Sequence, residues 1–194
     1  MRILKNFINI IFSKVTYLNI SKKINKIDRY ILFLIKKYLE NKYLDILMPI
    51  ITRLGNLGLI WILVATVLLL DKPYRVIGNI VIITLIISTI IGEVIIKNLV
   101  RRFRPYNKLD NIKLLIKRPI SYSFPSGHTL SSFAVATVLS TFFKEYELIF
   151  ISIAFLIAFS RVYLHVHYPT DVIAGIILGL VVGLLCSKLV FTVV

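Results

Sequence analysis

The 194-residue sequence has one cysteine, Cys186, and nine acidic residues against 24 Lys and Arg. A single cysteine excludes an intrachain disulfide, and its place inside the last apolar run makes it a packing residue that says nothing about redox compartment. Nine scattered carboxylates leave no acidic cluster of the kind that holds magnesium. A cluster of His165, His167 and Asp171 is the one alternative metal set, and it is disfavoured, so neither metal nor cofactor is expected. The net charge of +15 is not carried by a polar domain, and no recognised nucleic-acid module accompanies it, which argues against a nucleic-acid partner. The first nineteen residues are interrupted by Lys5, Asn9 and Lys14, and no small-residue cleavage site follows them, so they do not read as a cleaved signal peptide.

What the sequence does have is apolar length. It is 58% hydrophobic, with runs that no soluble domain of this size could bury, and this marks an integral membrane protein. A spanning helix needs about 20 mostly apolar residues. Five segments approach that: Gly55 to Leu70, Val76 to Ile96, Thr129 to Phe143, Leu148 to Leu164 and Val172 to Val194. The expected fold is an all-α polytopic bundle of these five spans, with a possible sixth in the first twenty residues. Lys26 to Arg53 mixes Ile, Leu and Tyr with Lys36, Lys37, Glu40, Lys42 and Asp45, which reads as a helix lying in the interface. The chain thus divides into an N-terminal segment, 1–54, and a membrane-embedded domain, 55–194.

Counting crossings places the Asp71–Arg75 and Lys144–Glu147 turns on one side. The segment from Lys97 to Gly127 and the turn from Tyr163 to Thr170 fall on the other. Three polar clusters therefore meet at one face. Lys97, Arg101 and Arg104 lie at i, i+4 and i+7, one helical face if the second span continues past Ile96, and Glu93 is placed to pair with Lys97. Taken alone, such a row is also what an interfacial anchor looks like. Pro125-Ser126-Gly127-His128 opens the third span, where free backbone N–H groups bind anions and Gly127 allows close approach; a plain Ser126 N-cap is the alternative. His128 is favoured as a proton donor. His167 and Asp171 are four apart, so the carboxylate can accept a hydrogen bond from one ring nitrogen and leave the other free to attack. Arg161 offers a planar fork for phosphate oxygens, and His165 reads as structural. Gly175, Gly179 and Gly183 form a small-residue stripe that continues from Asp171. It either packs inside the bundle or makes a homodimer contact.

These clusters resemble the type 2 phosphatidic acid phosphatase family. Its pattern of Lys, six residues and Arg-Pro, then Pro-Ser-Gly-His, then Ser-Arg, five residues, His, three residues and Asp is met by Lys97 to Pro105, Pro125 to His128, and Ser160 to Asp171 without departure. The resemblance runs from about Gly55 to the C-terminus, and the first fifty residues carry no part of it. It implies a metal-independent helical-bundle phosphatase working through a phosphohistidine. By position, His167 is the nucleophile, Asp171 its orienting partner and His128 the acid that then activates water. Lys97, Arg104, Ser126, Gly127 and Arg161 bind the phosphoryl oxygens.

The implied substrates are polyprenyl diphosphate, phosphatidylglycerol phosphate and phosphatidic acid, with a slight preference for the first. The headgroup would be drawn to the segment Lys97 to Arg118, which holds eight basic residues and one acid, Asp110. A phosphatase of soluble phosphate esters and a non-enzymatic lipid-binding or lipid-moving protein are the alternatives. Haloperoxidases share the same anion site but are soluble and larger. The positive-inside rule would place the basic face in the cytoplasm. The resemblance implies instead the outer face of a bacterial plasma membrane, and that reading is preferred.

Overall fold

The computed structural model describes residues 22–107 and 114–193, and within that range every regular element is a helix. The possible span in the first twenty residues lies outside the described residues. Helix α1 covers 22–38. Then come α2 (Lys42–Leu54), α3 (Leu59–Leu70) and α4 (Arg75–Thr89), which continues through a π-helical stretch, Ile90–Ile96, into the single turn α5 (Lys97–Val100). The last three helices are α6 (Gly127–Phe142), α7 (Glu147–Tyr163) and α8 (Pro169–Val193).

Local sequence accounts for most of these limits. Asn41 caps α2, its side-chain oxygen accepting from the N–H groups of Tyr43 and Leu44 at 3.1 and 3.0 Å. The α2–α3 junction turns on Gly58 at φ 71° and on Leu57, which adopts φ 53° while almost fully exposed. Pro169 sits in the first turn of α8, where its missing N–H costs nothing.

Three stretches are long and apolar enough to cross a membrane: Lys72–Asn107, Lys144–Tyr163 and Pro169–Leu189. A fourth is the pair Lys42–Leu54 and Asn56–Leu70, bent by 51°. Five spans are thus not confirmed among the described residues. The missing one is α6, which has only 16 residues, or about 24 Å of helix. It is the centre of the bundle. Every residue from Thr129 to Ser140 is buried, and α4, α7 and α8 all pack on it. Trp61 on α3 reaches the same helix, its buried indole N–H donating to Ser132 Oγ at 3.0 Å.

The expected interfacial helix over 26–53 is instead two helices, and the second belongs to the bent pair. Leu32, Ile35, Met48 and Thr52 are buried, and α2 packs along α7. The charge that argued against this is partly consumed inside the protein, since Asp45 accepts a 2.7 Å hydrogen bond from the Tyr163 hydroxyl. The glycine stripe is likewise internal. A Cβ on Gly179 would lie 2.7 Å from Leu130 O and 2.8 Å from Phe133 Cβ. One on Gly183 would lie 2.5 Å from Ala134 O. The stripe therefore seats α8 against α6 of the same chain, and its close-packed face is not open to a homodimer contact. At the end of the bundle away from the polar clusters, the rings of Tyr74 and Phe143 meet at 5.4 Å, tilted by 57°, joining the two short turns expected on one side.

Candidate active site

The described residues 97–107 and 114–123 lie against one another beside the helix ends. Helix α5 stops at Val100 because Arg101 turns left-handed (φ 50°), its N–H returning to Lys97 O. This breaks the expected helical row of Lys97, Arg101 and Arg104. Arg101 is exposed and donates to Asn98 O, whereas Arg104 arrives through the following turn and is buried. Pro105 gives the physical reason, since the residue before a proline is pushed out of the helical region. The π-helical turn before Lys97 further disturbs the 3.6-residue spacing, and such turns concentrate at functional sites. The two stretches are clipped together by Ser123 N–H to Arg102 O at 2.8 Å and by the Tyr106 hydroxyl to Pro119 O at 2.6 Å.

A cavity of about 650 Å³ opens here, and Lys97, Arg104, Gly127, His128, Arg161 and His167 all line it. The three clusters, separated by up to 70 residues in sequence, thus share one wall. Leu57, Leu85, Leu114, Leu115 and Ile116 add apolar lining to the same cavity. Lys97 Nζ is held by Glu93 Oε1 at 2.5 Å and by Ser121 Oγ at 3.0 Å, the pairing expected from the four-residue spacing. Arg104 donates to Ser121 O (2.7 Å) and Val166 O (2.8 Å), and its Nη1 meets His167 Nε2 at 3.1 Å. Arg161 donates through Nη1 to Thr52 Oγ1 and leaves its buried Nε without a partner.

Gly127 is where the cavity wall needs a missing side chain, because a Cβ there would lie 2.1 Å from Glu93 Oε1. No side chain caps the first turn of α6. Ser126 is fully buried and its Oγ accepts from Thr129 Oγ1 at 2.8 Å, so the plain N-cap alternative does not describe it. His128 Nε2 lies 2.8 Å from Asn56 Oδ1, and its ring packs over Gly55.

His167 is 1% exposed. A guanidinium can only donate, so the Arg104 contact requires the Nε2 lone pair to accept from Arg104 Nη1 at the cavity wall and places the ring proton on Nδ1. Burial holds this imidazole well below its ordinary range, and Arg104, Arg161 and Lys97 push the same way, so the ring is neutral.

The expected hydrogen bond from His167 Nδ1–H to Asp171 is not formed. Asp171 Oδ2 lies 3.6 Å from His167 Nδ1, which has no bonded partner. Closer donors take the carboxylate: Ser123 Oγ (2.5 Å) and Tyr168 N–H (2.8 Å) on Oδ2, and Arg102 Nη1 (2.6 Å) on Oδ1. His165, at φ 55°, turns away toward Glu40, as a structural residue would. Thr52, Asn56, Arg102, Ser121 and Ser123 went unnoticed in the sequence. Only Arg102 carried a signal, as a third arginine inside the Lys97–Pro105 cluster.

A profile of the PAP2 superfamily matches residues 77–194. Among curated proteins, the undecaprenyl-diphosphatase of Sulfolobus acidocaldarius is 38% identical over 144 residues, which cover 74% of this chain and 69% of that protein. Among solved structures, the transmembrane PAP2-type phosphatidylglycerolphosphate phosphatase of Bacillus subtilis superposes with a TM-score of 0.73 at 26% identity, over 89% of this chain and 88% of that one. LpxE of Aquifex aeolicus superposes at 0.72 with 28% identity, over 82% and 93%. With three spaced motifs converging on one cationic cavity and this agreement along most of its length, the chain belongs to the PAP2 superfamily.

Proposed function

We propose that this PAP2 phosphatase hydrolyses a lipid phosphate or lipid diphosphate at a membrane surface through a phosphohistidine on His167. The observation that carries the reading is the His167 Nε2 lone pair, buried in a cavity it shares with Lys97, Arg104 and Arg161. In the first step Nε2 attacks phosphorus and the bond from phosphorus to the leaving oxygen breaks. His128 gives that oxygen its proton. In the second step His128 takes a proton from water, the water oxygen attacks phosphorus, and the P–N bond breaks to restore the lone pair. Lys97, Arg104, Arg161 and the start of α6 at Ser126 and Gly127 hold the phosphoryl oxygens and stabilise their charge in the transition state, the part usually played by preorganised donors. Asp171 Oδ2 faces the Nδ1 proton and stabilises it as positive charge develops on the ring.

The apolar lining of the cavity, from Leu57, Leu85 and the 114–116 segment, suits the lipid end of the substrate. A polyprenyl diphosphate is the preferred substrate, supported by the resemblance to an undecaprenyl-diphosphatase. Helix α6 serves as the fifth, short span, shielded from lipid by its neighbours.

The purified full chain in detergent with excess chelator is expected to release phosphate from polyprenyl diphosphate faster than from phosphatidylglycerol phosphate or phosphatidic acid. Loss of release on chelation would sink the metal-independent chemistry, and a different ranking would replace the substrate. The catalytic face is placed outside the plasma membrane. In a Cys186→Ala background, Lys117→Cys should react with an impermeant thiol reagent in intact cells, and protection until lysis would reverse the orientation.

A further inference from the structure

Asp28 lies on α1, outside the residues that match the PAP2 profile, yet its carboxylate is fully buried and its bonds run to the segment that carries the reaction. Oδ1 accepts from Thr170 N–H at 3.0 Å, and Oδ2 accepts from Thr170 Oγ1 and from Arg102 Nη2, both at 2.6 Å. The same Nη2 donates to Asn25 Oδ1 at 2.8 Å. The other nitrogen, Nη1, donates to Thr170 Oγ1 at 2.8 Å and to Asp171 Oδ1 at 2.6 Å. The guanidinium plane lies 4.1 Å over the Tyr168 ring. One arginine thus joins two fully buried carboxylates, one from α1 and one from α8, and is fixed on its face as well as its edges.

Burying two carboxylates is costly unless each is well paired. Here the pairing consumes an arginine that, two residues before Arg104 in sequence, could otherwise have joined the phosphate-binding cations. We propose that Arg102, clamped from α1 by Asp28, is a positioning residue for the phosphatase reaction. It pins Asp171 so that Oδ2 faces His167 Nδ1, and it offsets the carboxylate's charge so that the imidazole stays neutral. This rests on His167 being the nucleophile. The groups facing His167 are Arg104, Arg161, Lys97 and His128 on the cavity side and Asp171 on the other, with the Ser123 backbone also beside the ring. Asp171 in turn faces Arg102, Ser123 and the Tyr168 N–H, with Asp28 behind the arginine. Removing Arg102 leaves the negative charge on Asp171 uncompensated beside the ring. His167 then holds its proton to higher pH and loses the attacking lone pair.

The test uses the full chain in detergent with farnesyl diphosphate, comparing wild type with Arg102→Gln, Arg102→Lys, Asp28→Asn and the double variant Asp28→Asn/Arg102→Gln. Arg102→Gln should lower kcat about 10- to 100-fold, as loss of a residue that orients a working group typically does. KM should move little, because the phosphate-binding cations are untouched. The acidic limb of kcat/KM should shift to higher pH. Asp28→Asn should lower kcat more weakly and, because it removes a negative charge and leaves Arg102 less neutralised, should not move the acidic limb to higher pH; the double variant should be no worse than Arg102→Gln, since Asp28 acts through the arginine. Arg102→Lys keeps the charge but cannot span both carboxylates, so it should fall between; it also serves if Arg102→Gln does not fold.

An additive double variant, or an unmoved acidic limb with raised KM, would overturn the proposal. A second readout is the titration of His167 followed by NMR of histidine-labelled protein, which needs no turnover. An upward shift in Arg102→Gln without one in Asp28→Asn supports the proposal, and no shift in Arg102→Gln overturns it. A wild type that binds but never releases phosphate would instead overturn the phosphatase reading, with the His167 titration still deciding the role of Arg102.

Discussion

Replacing His167 with Ala should reduce phosphate release by on the order of 10⁴-fold or more, because it removes the covalent route itself and not one stabilising contact. The loss should appear in kcat and not in KM. Binding of the phosphoryl group is spread over Lys97, Arg104, Arg161 and the start of α6, none of which needs the imidazole to keep its place. Arg104 retains Ser121 O and Val166 O, and Lys97 retains Glu93 and Ser121. The variant should therefore still bind orthovanadate, with affinity reduced only by the missing axial nitrogen. Stability has a sign of its own. His167 is buried neutral with its proton affinity lowered, so the unfolded chain takes up the proton first as pH falls. The wild type should lose stability as pH drops below about 6.5, the ordinary imidazole value, toward the depressed folded value, and His167→Ala should lose less over that window. Measuring kcat, vanadate binding and thermal unfolding against pH on the two proteins checks all three. A His167→Ala protein retaining a tenth of the activity would end the phosphohistidine mechanism.

The catalytic half of the molecule was legible because its logic is linear. Apolar runs long enough to be helices end at Gly127, Tyr163 and Pro169, within a few residues of their expected limits, and the chemistry sits at those ends. The alternation of turns then dictates a common face, which the cavity lined by all three clusters bears out. What could not be read was what the N-terminal half does. Asp28, Asp45 and Thr52 look like residues of a solvated or interfacial helix, because in sequence nothing distinguishes a charge facing water from one consumed by a partner more than 70 positions away. Helical phase failed between Ile90 and Arg101 for a local reason, a π-helical turn followed by an early stop, and this sent the second of three arginines, Arg102, to the carboxylates and the third, Arg104, to the cavity. The four-residue spacing of His167 and Asp171 correctly brought them together. It could not show that Ser123, Arg102 and a backbone N–H outbid the imidazole for the carboxylate.

His128→Asn should divide the reaction in a way no loss of binding can imitate. His128 lines the cavity with Nε2 2.8 Å from Asn56 Oδ1, held against the turn between α2 and α3 and away from the carboxylate that faces His167. In the proposed mechanism two proton transfers depend on it: donation to the departing oxygen and removal of a proton from water. With a lipid phosphate the departing alkoxide needs that proton, so both steps slow and turnover should fall about 10²- to 10⁴-fold, the usual contribution of a positioned acid and base. With p-nitrophenyl phosphate the leaving group departs unprotonated, and only the second step still needs His128. Phosphoenzyme should then accumulate. The expected result is a burst of nitrophenol equal to the enzyme concentration followed by slow release, and a base-stable, acid-labile phosphate on the alkali-quenched protein. His167→Ala should show neither, and wild type should show no burst if its second step is fast. Equal slowing of both substrates without a burst would remove His128 from the second step. The water would then have to be activated by another group at the cavity, and Glu93, beside Lys97 and Gly127, is the carboxylate among the described residues that lines it.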